Sequence, residues 1–96
     1  MEKNIAYLQK GVAMKKIGDK CTLSELKIGQ KAMVTKLNFD NKEIRRHLLD
    51  MGVTRGVKVK IKKIAPMGEP IDLELRGYEL ALRKSELKNI EAEVIA

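Results

Sequence analysis

The chain has 96 residues, 44% of them hydrophobic and 3% aromatic, with 20 basic residues against 13 acidic ones and a formal net charge of +7. A chain this short has interior for one core, so we expect one domain with an aliphatic core. The single cysteine, Cys21, excludes an intramolecular disulfide and a thiolate metal cluster, and a small domain without a disulfide is typical of the reducing cytoplasm. The positive surplus attracts acidic partners but does not indicate a fold.

The first 21 residues differ in composition from the rest of the chain. Their apolar residues at helical intervals are Ile5, Leu8 and Val12. This spacing predicts either a short docking helix or a loose tail, and Met14 offers an alternative start. No apolar run approaches the ~20 residues that span a bilayer, and no signal-peptide core is present. We predict an N-terminal extension over residues 1–21, a domain over residues 22–96 and a cytoplasmic location.

A short helical turn and a strand are predicted at the start of the domain. Thr22 and Glu25 have the spacing of a capping box, and Gly29 ends the turn that they begin. Residues 30–37 are predicted as the first strand, although Lys31, Met33 and Val34 alternate poorly.

The clearest helical pattern runs from Asp40 to Met51. Asp40 together with Glu43 is predicted to form its N-terminal cap, and Gly52 stands where a helix end favours a left-handed residue. The face expected to be buried contains Ile44, His47, Leu48 and Met51.

After Gly56 the alternation is that of strands. The apolar positions on one face of these strands are Val57, Val59, Ile61, Ile71, Leu73 and Leu75, and the positions between them are charged. Residues 65–70 are predicted as a loop that turns the chain, and Pro70 is acceptable at the start of a strand. A last strand is predicted at Ile90, Ala92 and Val94, after a polar segment at Ser85.

A tight hairpin is predicted with Gly77 and Tyr78 as its central residues. This register pairs Arg76 with Glu79 and Asp72 with Arg83, which is electrostatically favourable. Moving the turn back by one residue sets Glu74 against Glu79, and Gly77 at the first central position suits a type II′ turn. We therefore predict the first register. Five short strands with one helix inserted after the first, and a short N-terminal helical turn, together predict a mainly β fold in the form of a small closed barrel.

Several segments resemble the FeoA family, the small cytosolic components of bacterial ferrous iron uptake. The resemblance is carried by residues 44–59, in which a helix, Gly52 and a strand follow in order, and by residues 65–71, Arg76-Gly77, residues 80–84 and residues 23–29. It covers roughly residues 22–95. The resemblance implies an SH3-like barrel and a role beside the FeoB ferrous iron permease and its cytosolic GTP-binding domain. Arg55 departs from the family, which often has proline there.

The basic stripe formed by Lys58, Lys60, Lys62 and Lys63 allows a second hypothesis. Such a stripe can bind phosphates, so the alternative to a transport accessory protein is a basic nucleic-acid-binding barrel or a repressor-type regulatory domain. Asp72 and Glu74 are expected on the same outer face, where they neutralise the lysines. No aromatic residues are interleaved with the stripe and the chain has no helix-turn-helix, so no nucleic-acid partner is expected.

We expect no catalytic, cofactor or metal site. The chain has one histidine, one cysteine, no nucleophile elbow and no phosphate-binding glycine loop. His47 is expected to be structural, Cys21 incidental, and Met33 and Met51 core-filling. No set of histidine, cysteine and carboxylate residues has ligand spacing. The chain is therefore predicted to be non-enzymatic and to reach the membrane only through its partner.

A contact surface on a barrel comes from its loops and from the outer face of its helix. The residues predicted to contact a partner are Arg45, Arg46, Leu49, Arg55, Pro66 and Met67, which combine positive charge with apolar atoms. The alternative is that the arginines are only solvated and Leu49 widens the buried face. The glycines predicted to shape the turns are Gly52, Gly56, Gly68 and Gly77. The sequence leaves open whether the chain forms a homo-oligomer.

Overall fold

A computed structural model describes residues 16–96, so the apolar spacing predicted over residues 5–12 lies outside the described part. The described chain forms six strands, one nine-residue helix and two shorter helical segments. In chain order the elements are β1 (Lys20–Thr22), a 3₁₀ turn (Leu23–Glu25), β2 (Lys31–Leu37), α1 (Lys42–Asp50), β3 (Lys58–Ile64), β4 (Ile71–Leu75), β5 (Tyr78–Leu82), α2 (Lys84–Leu87) and β6 (Ile90–Val94).

The six strands form one antiparallel sheet with the order β1-β6-β2-β3-β4-β5. The mainly β class is confirmed, but the predicted count of five strands is wrong. The additional strand, β1, pairs Lys20 with Glu93, and the Gly18 N–H donates to the Val94 carbonyl at 2.8 Å. A strand of three residues is too short to show alternation, so no pattern marks it. The sheet therefore begins inside the segment predicted as an extension.

The core is aliphatic and continuous. Along β3, β4 and β6 alternate residues are buried, as the sequence predicts, because successive side chains of a strand point to opposite faces. The 3₁₀ turn adds Leu23, and its capping box between Thr22 and Glu25 is present as predicted. The largest fully buried side chains are Leu23, Leu48, Ile61, Leu73, Leu75, Leu87 and Ile90.

Helix α1 begins one residue later than predicted. Its N-cap is Asn41, whose Oδ1 accepts hydrogen bonds from the Glu43 N–H at 2.8 Å and the Ile44 N–H at 3.2 Å. The cap predicted at Asp40 is therefore wrong. Asparagine and aspartate cap equally well, so two candidates in succession could not be separated by residue type.

The buried face of α1 is narrower than predicted. Leu48 is fully buried and Met51 packs partly against the core, but His47 is exposed and Ile44 retains 39% of its surface. The helix is therefore anchored mainly through Leu48 and through Val53, which follows it and is also fully buried.

The register predicted for the β4–β5 hairpin is wrong. The observed pairs are Leu75 with Tyr78, Leu73 with Leu80 and Ile71 with Leu82, so Glu74 lies opposite Glu79. The central residues are Arg76 and Gly77, both with positive φ, as a type I′ turn requires.

Apolar pairing explains this register. It joins three apolar pairs, whereas the predicted register sets Ile71 opposite Lys84 and leaves two. The repulsion between Glu74 and Glu79 is weak because exposed charges are screened by water, and Lys62 Nζ lies 3.8 Å from Glu74 Oε1. Burial of apolar side chains therefore outweighs the charge pairing on which the prediction relied.

Candidate docking groove

A groove opens where strand β2 extends beyond its neighbour β3. β2 pairs with β6 as far as Leu37, but its ladder with β3 ends at Met33. On the same side of β2, the backbone of Val34 forms hydrogen bonds with Gly56 and Val57. Beyond Val34, the segment that leads into β3 diverges from β2. The cavity beside the end of β2 measures about 550 Å³. Its lining defines the β2–α1 groove: Thr35, Lys36, Leu37, Arg45, Leu49 and Arg55.

An irregularity in β2 shapes this groove. The pairing of β2 with β6 shifts register between Val34 and Lys36, so Thr35 is the additional residue of a β-bulge. A bulge bends the strand that carries it and redirects its side chains, and bulges are frequent beside binding sites. The weak alternation of residues 30–37 in the sequence agrees with this irregularity.

The β2–α1 groove is positively charged. Lys36, Arg45 and Arg55 are exposed, and none of the three forms an ion pair with an acidic side chain of residues 16–96. The groove also has apolar atoms, because Leu49 retains 39% of its surface and Leu37 is half-buried against the core. It thus offers unpaired cations around an apolar floor.

The six residues predicted to contact a partner fall into two groups. Arg45, Leu49 and Arg55 line the β2–α1 groove together, while Arg46 is exposed on α1 outside that lining. Pro66 and Met67 belong to the loop after β3, whereas Arg55 precedes that strand. A seven-residue strand spans roughly 20 Å, so the two groups lie at opposite ends of β3.

The second group forms an apolar patch. Met67 is 92% exposed and Pro66 lines a separate cavity of about 310 Å³ with Ile28 and Pro70. Ile28, itself 59% exposed, comes from the segment before β2. We define Ile28, Pro66, Met67 and Pro70 as the loop patch. Sequence reasoning did not include Ile28 here, nor Thr35, Lys36 and Leu37 in the groove.

Comparison with known proteins identifies the family. The model of the FeoA domain matches residues 21–94, most of the chain. The chain belongs to the FeoA family. A Campylobacter jejuni protein named as an Fe(2+) transport protein A is 36% identical over 74 residues, which are 77% of this chain and 99% of that protein. A Porphyromonas gingivalis Fe(2+) transport protein A/Fe(2+) transporter FeoB fusion protein is 28% identical over 74 residues, 77% of this chain but only 9% of the fusion.

Solved structures confirm the SH3-like fold of this FeoA domain. An FeoA-like protein from Clostridium acetobutylicum is 43% identical with a TM-score of 0.72, covering 85% of this chain and 92% of that one. Stenotrophomonas maltophilia FeoA is described as an SH3 domain protein and was solved with zinc. It is 32% identical with a TM-score of 0.64, and the match covers 75% of this chain and 88% of that one.

Two links join α1 of the FeoA domain to the β4–β5 hairpin. The Tyr78 hydroxyl donates to the Met51 carbonyl at the end of α1, and Arg76 Nη2 donates to Thr54 Oγ1 at 3.4 Å. Gly52 has a φ of +96°, and a Cβ at this position would lie 2.5 Å from Tyr78 Oη. Glycine is therefore required here by both conformation and space. Positive φ is also found at the other three predicted turn glycines, Gly56, Gly68 and Gly77.

In the FeoA domain, three lysines of the basic stripe, Lys60, Lys62 and Lys63, lie beside acidic residues as predicted, whereas Lys58 lies opposite Met33. Lys60 pairs across strands with Glu74, and Lys63 pairs with Asp72. Opposite charges at paired positions neutralise each other locally. In the β2–α1 groove, by contrast, Lys36, Arg45 and Arg55 have no acidic partner among residues 16–96.

Residues 16–96 contain neither a cluster of metal-ligating side chains nor a helix that could cross a membrane. No group of three or more histidine, cysteine, aspartate or glutamate residues there is placed to hold a metal ion, and His47 is exposed. No helix in the same range is long and apolar enough to cross a membrane.

Proposed function

We propose that the protein is a non-enzymatic accessory protein of ferrous iron uptake that docks on the cytosolic, GTP-binding part of a FeoB-type permease. The observation that carries this proposal is the P. gingivalis fusion, in which a domain similar to this chain shares one polypeptide with an Fe(2+) transporter. Fusion holds two modules at high effective concentration, so it favours modules that act in contact. The docking acts either on the assembly of the permease or on its nucleotide cycle.

The groove residues are proposed as the centre of the docking surface. Arg45 and Arg55 place two arginines beside the exposed Leu49, and arginine is enriched at the energetic centres of interfaces. Arg46 extends the same positive surface along α1. Pro66 and Met67 are proposed as a second contact, because an exposed methionine between Pro66 and Gly68 provides an adaptable apolar surface.

Capture of the permease from detergent-solubilised membranes tests this proposal. The full chain, immobilised through its C-terminus, is expected to retain the permease, and soluble chain added as competitor is expected to release it. Arg45→Glu together with Arg55→Glu should abolish capture. The proposal fails if membranes that contain the permease yield none of it on the unmodified chain.

Lys84→Glu provides the matched control. Lys84 is exposed, and its backbone N–H donates to Glu69 Oε1 at 2.9 Å, which places it beside the loop patch end of β3. It occupies the first turn of α2, where an acidic residue is compatible with the helix dipole. This variant makes the same change of charge as Arg45→Glu away from the groove. Because Lys84 lies near the loop patch, some loss of capture is expected, but far less than in the double arginine variant.

A further inference from the structure

We propose that the β2–α1 groove binds a short acidic segment of a partner protein, in which two carboxylates flank one apolar side chain. The inference rests on the proposed function only for the identity of that partner as the permease. The chemistry of the segment follows from the groove itself, from its charge, its apolar floor and the exposed side of β2.

The charge of the groove selects anions. Three cations, Lys36, Arg45 and Arg55, lie around one cavity without acidic partners among residues 16–96. A guanidinium group presents paired donors that match the two oxygens of a carboxylate, so each arginine can hold one carboxylate in a bidentate pair. Two arginines can therefore bind two carboxylates. Lys36 adds a third, exposed positive charge to the lining of the groove.

The floor of the groove selects an apolar group between the carboxylates. Leu37 and Leu49 both contribute to the lining, and Leu49 is 39% exposed. The cavity of about 550 Å³ lies within the range of small ligand-binding clefts, ~300–1,000 Å³. It accommodates a few side chains rather than the face of a long helix.

The exposed side of β2 favours an extended segment. On the side of β2 that faces β3, no strand of the described chain pairs with Thr35, Lys36 and Leu37. The β2–β3 ladder ends at Met33, and the hydrogen bonds of Val34 with Gly56 and Val57 are the last on this side. Peptides commonly bind alongside such strand edges in extended form. In an extended peptide, alternate side chains point to the same side, so an apolar side chain and the carboxylates two residues before and two residues after it can all face the groove.

The surroundings disfavour phosphate and nucleic acid. The α1 amides of Glu43 and Ile44, which would otherwise cradle a phosphate, already donate to Asn41 Oδ1. A long polyanion would also meet the exposed carboxylates of Glu43 and Asp50 on α1. These carboxylates on α1 limit the length of positive surface that adjoins the β2–α1 groove, which suits one short acidic segment.

Fluorescence anisotropy with a labelled peptide tests the inference on the full chain. The probe is the blocked peptide Gly-Glu-Asp-Leu-Asp-Glu-Gly, compared with a version in which serine replaces leucine. We expect saturable binding that weakens about tenfold in Arg45→Glu and in Arg55→Glu, and about threefold or more with the serine peptide. Lys84→Glu should stay within about twofold of the unmodified chain. Amide resonances of Thr35, Leu37 and Leu49 should shift on titration.

Three outcomes overturn the inference. The first is equal binding of the peptide to the unmodified chain and the two arginine variants. The second is the absence of saturable binding. The third is stronger binding of a 12-nucleotide single-stranded DNA that depends on Arg45 and Arg55, since it would identify the groove as a nucleic-acid site.

The peptide assay and the permease capture assay fail independently. If the permease is captured but the peptide does not bind through the arginines, the docking function stands and the groove inference falls. If the peptide binds as expected but no permease is captured, the groove has been assigned correctly and the proposed partner is wrong.

Discussion

The two ends of strand β3 differ in charge and in the size of the cavity beside them. Before β3, Arg55 contributes to a groove with an apolar floor and three cations that have no acidic partner among residues 16–96. After β3, the loop patch presents Met67, 92% exposed, beside Pro66 and a smaller cavity of about 310 Å³. Between them, the strand itself alternates buried aliphatic residues with lysines, of which Lys60, Lys62 and Lys63 lie beside acidic residues.

This difference shows how one small barrel can provide two distinct surfaces. The strand interiors must bury every second residue, so they have little freedom to vary. The chain segments at the ends of β3 do not have to bury every second residue, and they contain the residues proposed to contact a partner. The groove end is also held by α1 and by the Tyr78 hydroxyl, whereas the loop patch is held by its own turn and by the hydrogen bond from the Lys84 N–H to Glu69. Substitutions at the two ends should therefore differ in their effect on stability.

The largest expected effect on stability is at Leu48, which anchors α1 at the groove end of β3. Leu48 is fully buried and holds α1 against the core, so Leu48→Ala should lower the free energy of unfolding by about 2–5 kcal/mol through lost burial and a residual cavity. The matched change at the other end, Met67→Ala, should stay within about 0.5 kcal/mol because Met67 is almost fully exposed. Urea unfolding measures both. A loss below about 1 kcal/mol in Leu48→Ala would contradict the packing of α1.

The second prediction concerns two glycines at the groove end of β3. It separates the cost of a steric clash from the cost of a positive φ. Gly52 and Gly56 have similar φ values, +96° and +91°, but only Gly52 has a neighbour, the Tyr78 hydroxyl, in the path of a Cβ. Gly56→Ala should cost about 1–2 kcal/mol from the left-handed conformation alone. Gly52→Ala should cost roughly 1–3 kcal/mol more, because the Tyr78 hydrogen bond to Met51 is also displaced. Equal losses in thermal unfolding would show that Tyr78 moves aside freely.

The third effect concerns the hairpin turn that lies against α1. Gly77 has a φ of +86°, so Gly77→Val should lower stability by about 1–3 kcal/mol, since a β-branched residue adopts this conformation with strain. Arg76 is the other central residue, with a φ of +50°, and asparagine is preferred there in type I′ turns. Arg76→Asn is expected to be neutral or slightly stabilising. Destabilisation by Arg76→Asn as large as that of Gly77→Val would show that the Arg76–Thr54 contact matters more than the turn.

Much of the fold could be predicted because alternation reports burial directly. The faces of β3, β4 and β6 and the position of α1 follow from apolar spacing alone. Charge does not predict the hairpin register. Both registers pair leucine with leucine, and they differ in the residue opposite Ile71, which is Leu82 in the structure and Lys84 in the predicted register. Strand β1 was missed because pairing to β6, rather than its own three residues, makes it a strand.

The candidate site was predictable only in part. Arg45, Leu49 and Arg55 were identified because exposed arginines near a turn form a recognisable composition. Their separation from Met67 depends on the length of β3, which the composition of the two loops does not indicate. The β2 side of the groove depends on a bulge at Thr35, and a bulge appears in sequence only as weak alternation.

The smallest effect on stability, and the sharpest test of the comparison, is expected from Met67→Asp. The side chain is 92% exposed, so the free energy of unfolding should change by less than about 0.5 kcal/mol. Because Met67 lies roughly 20 Å from the groove along β3, binding of the acidic peptide should also be unchanged. Capture of the permease should nevertheless fall, since a charge replaces the apolar contact of the loop patch, and Arg46→Glu in the same chain should reduce it further by removing positive charge beside the groove. If Met67→Asp leaves capture intact while Arg45→Glu with Arg55→Glu abolishes it, the loop patch is not a contact and docking depends on the β2–α1 groove alone.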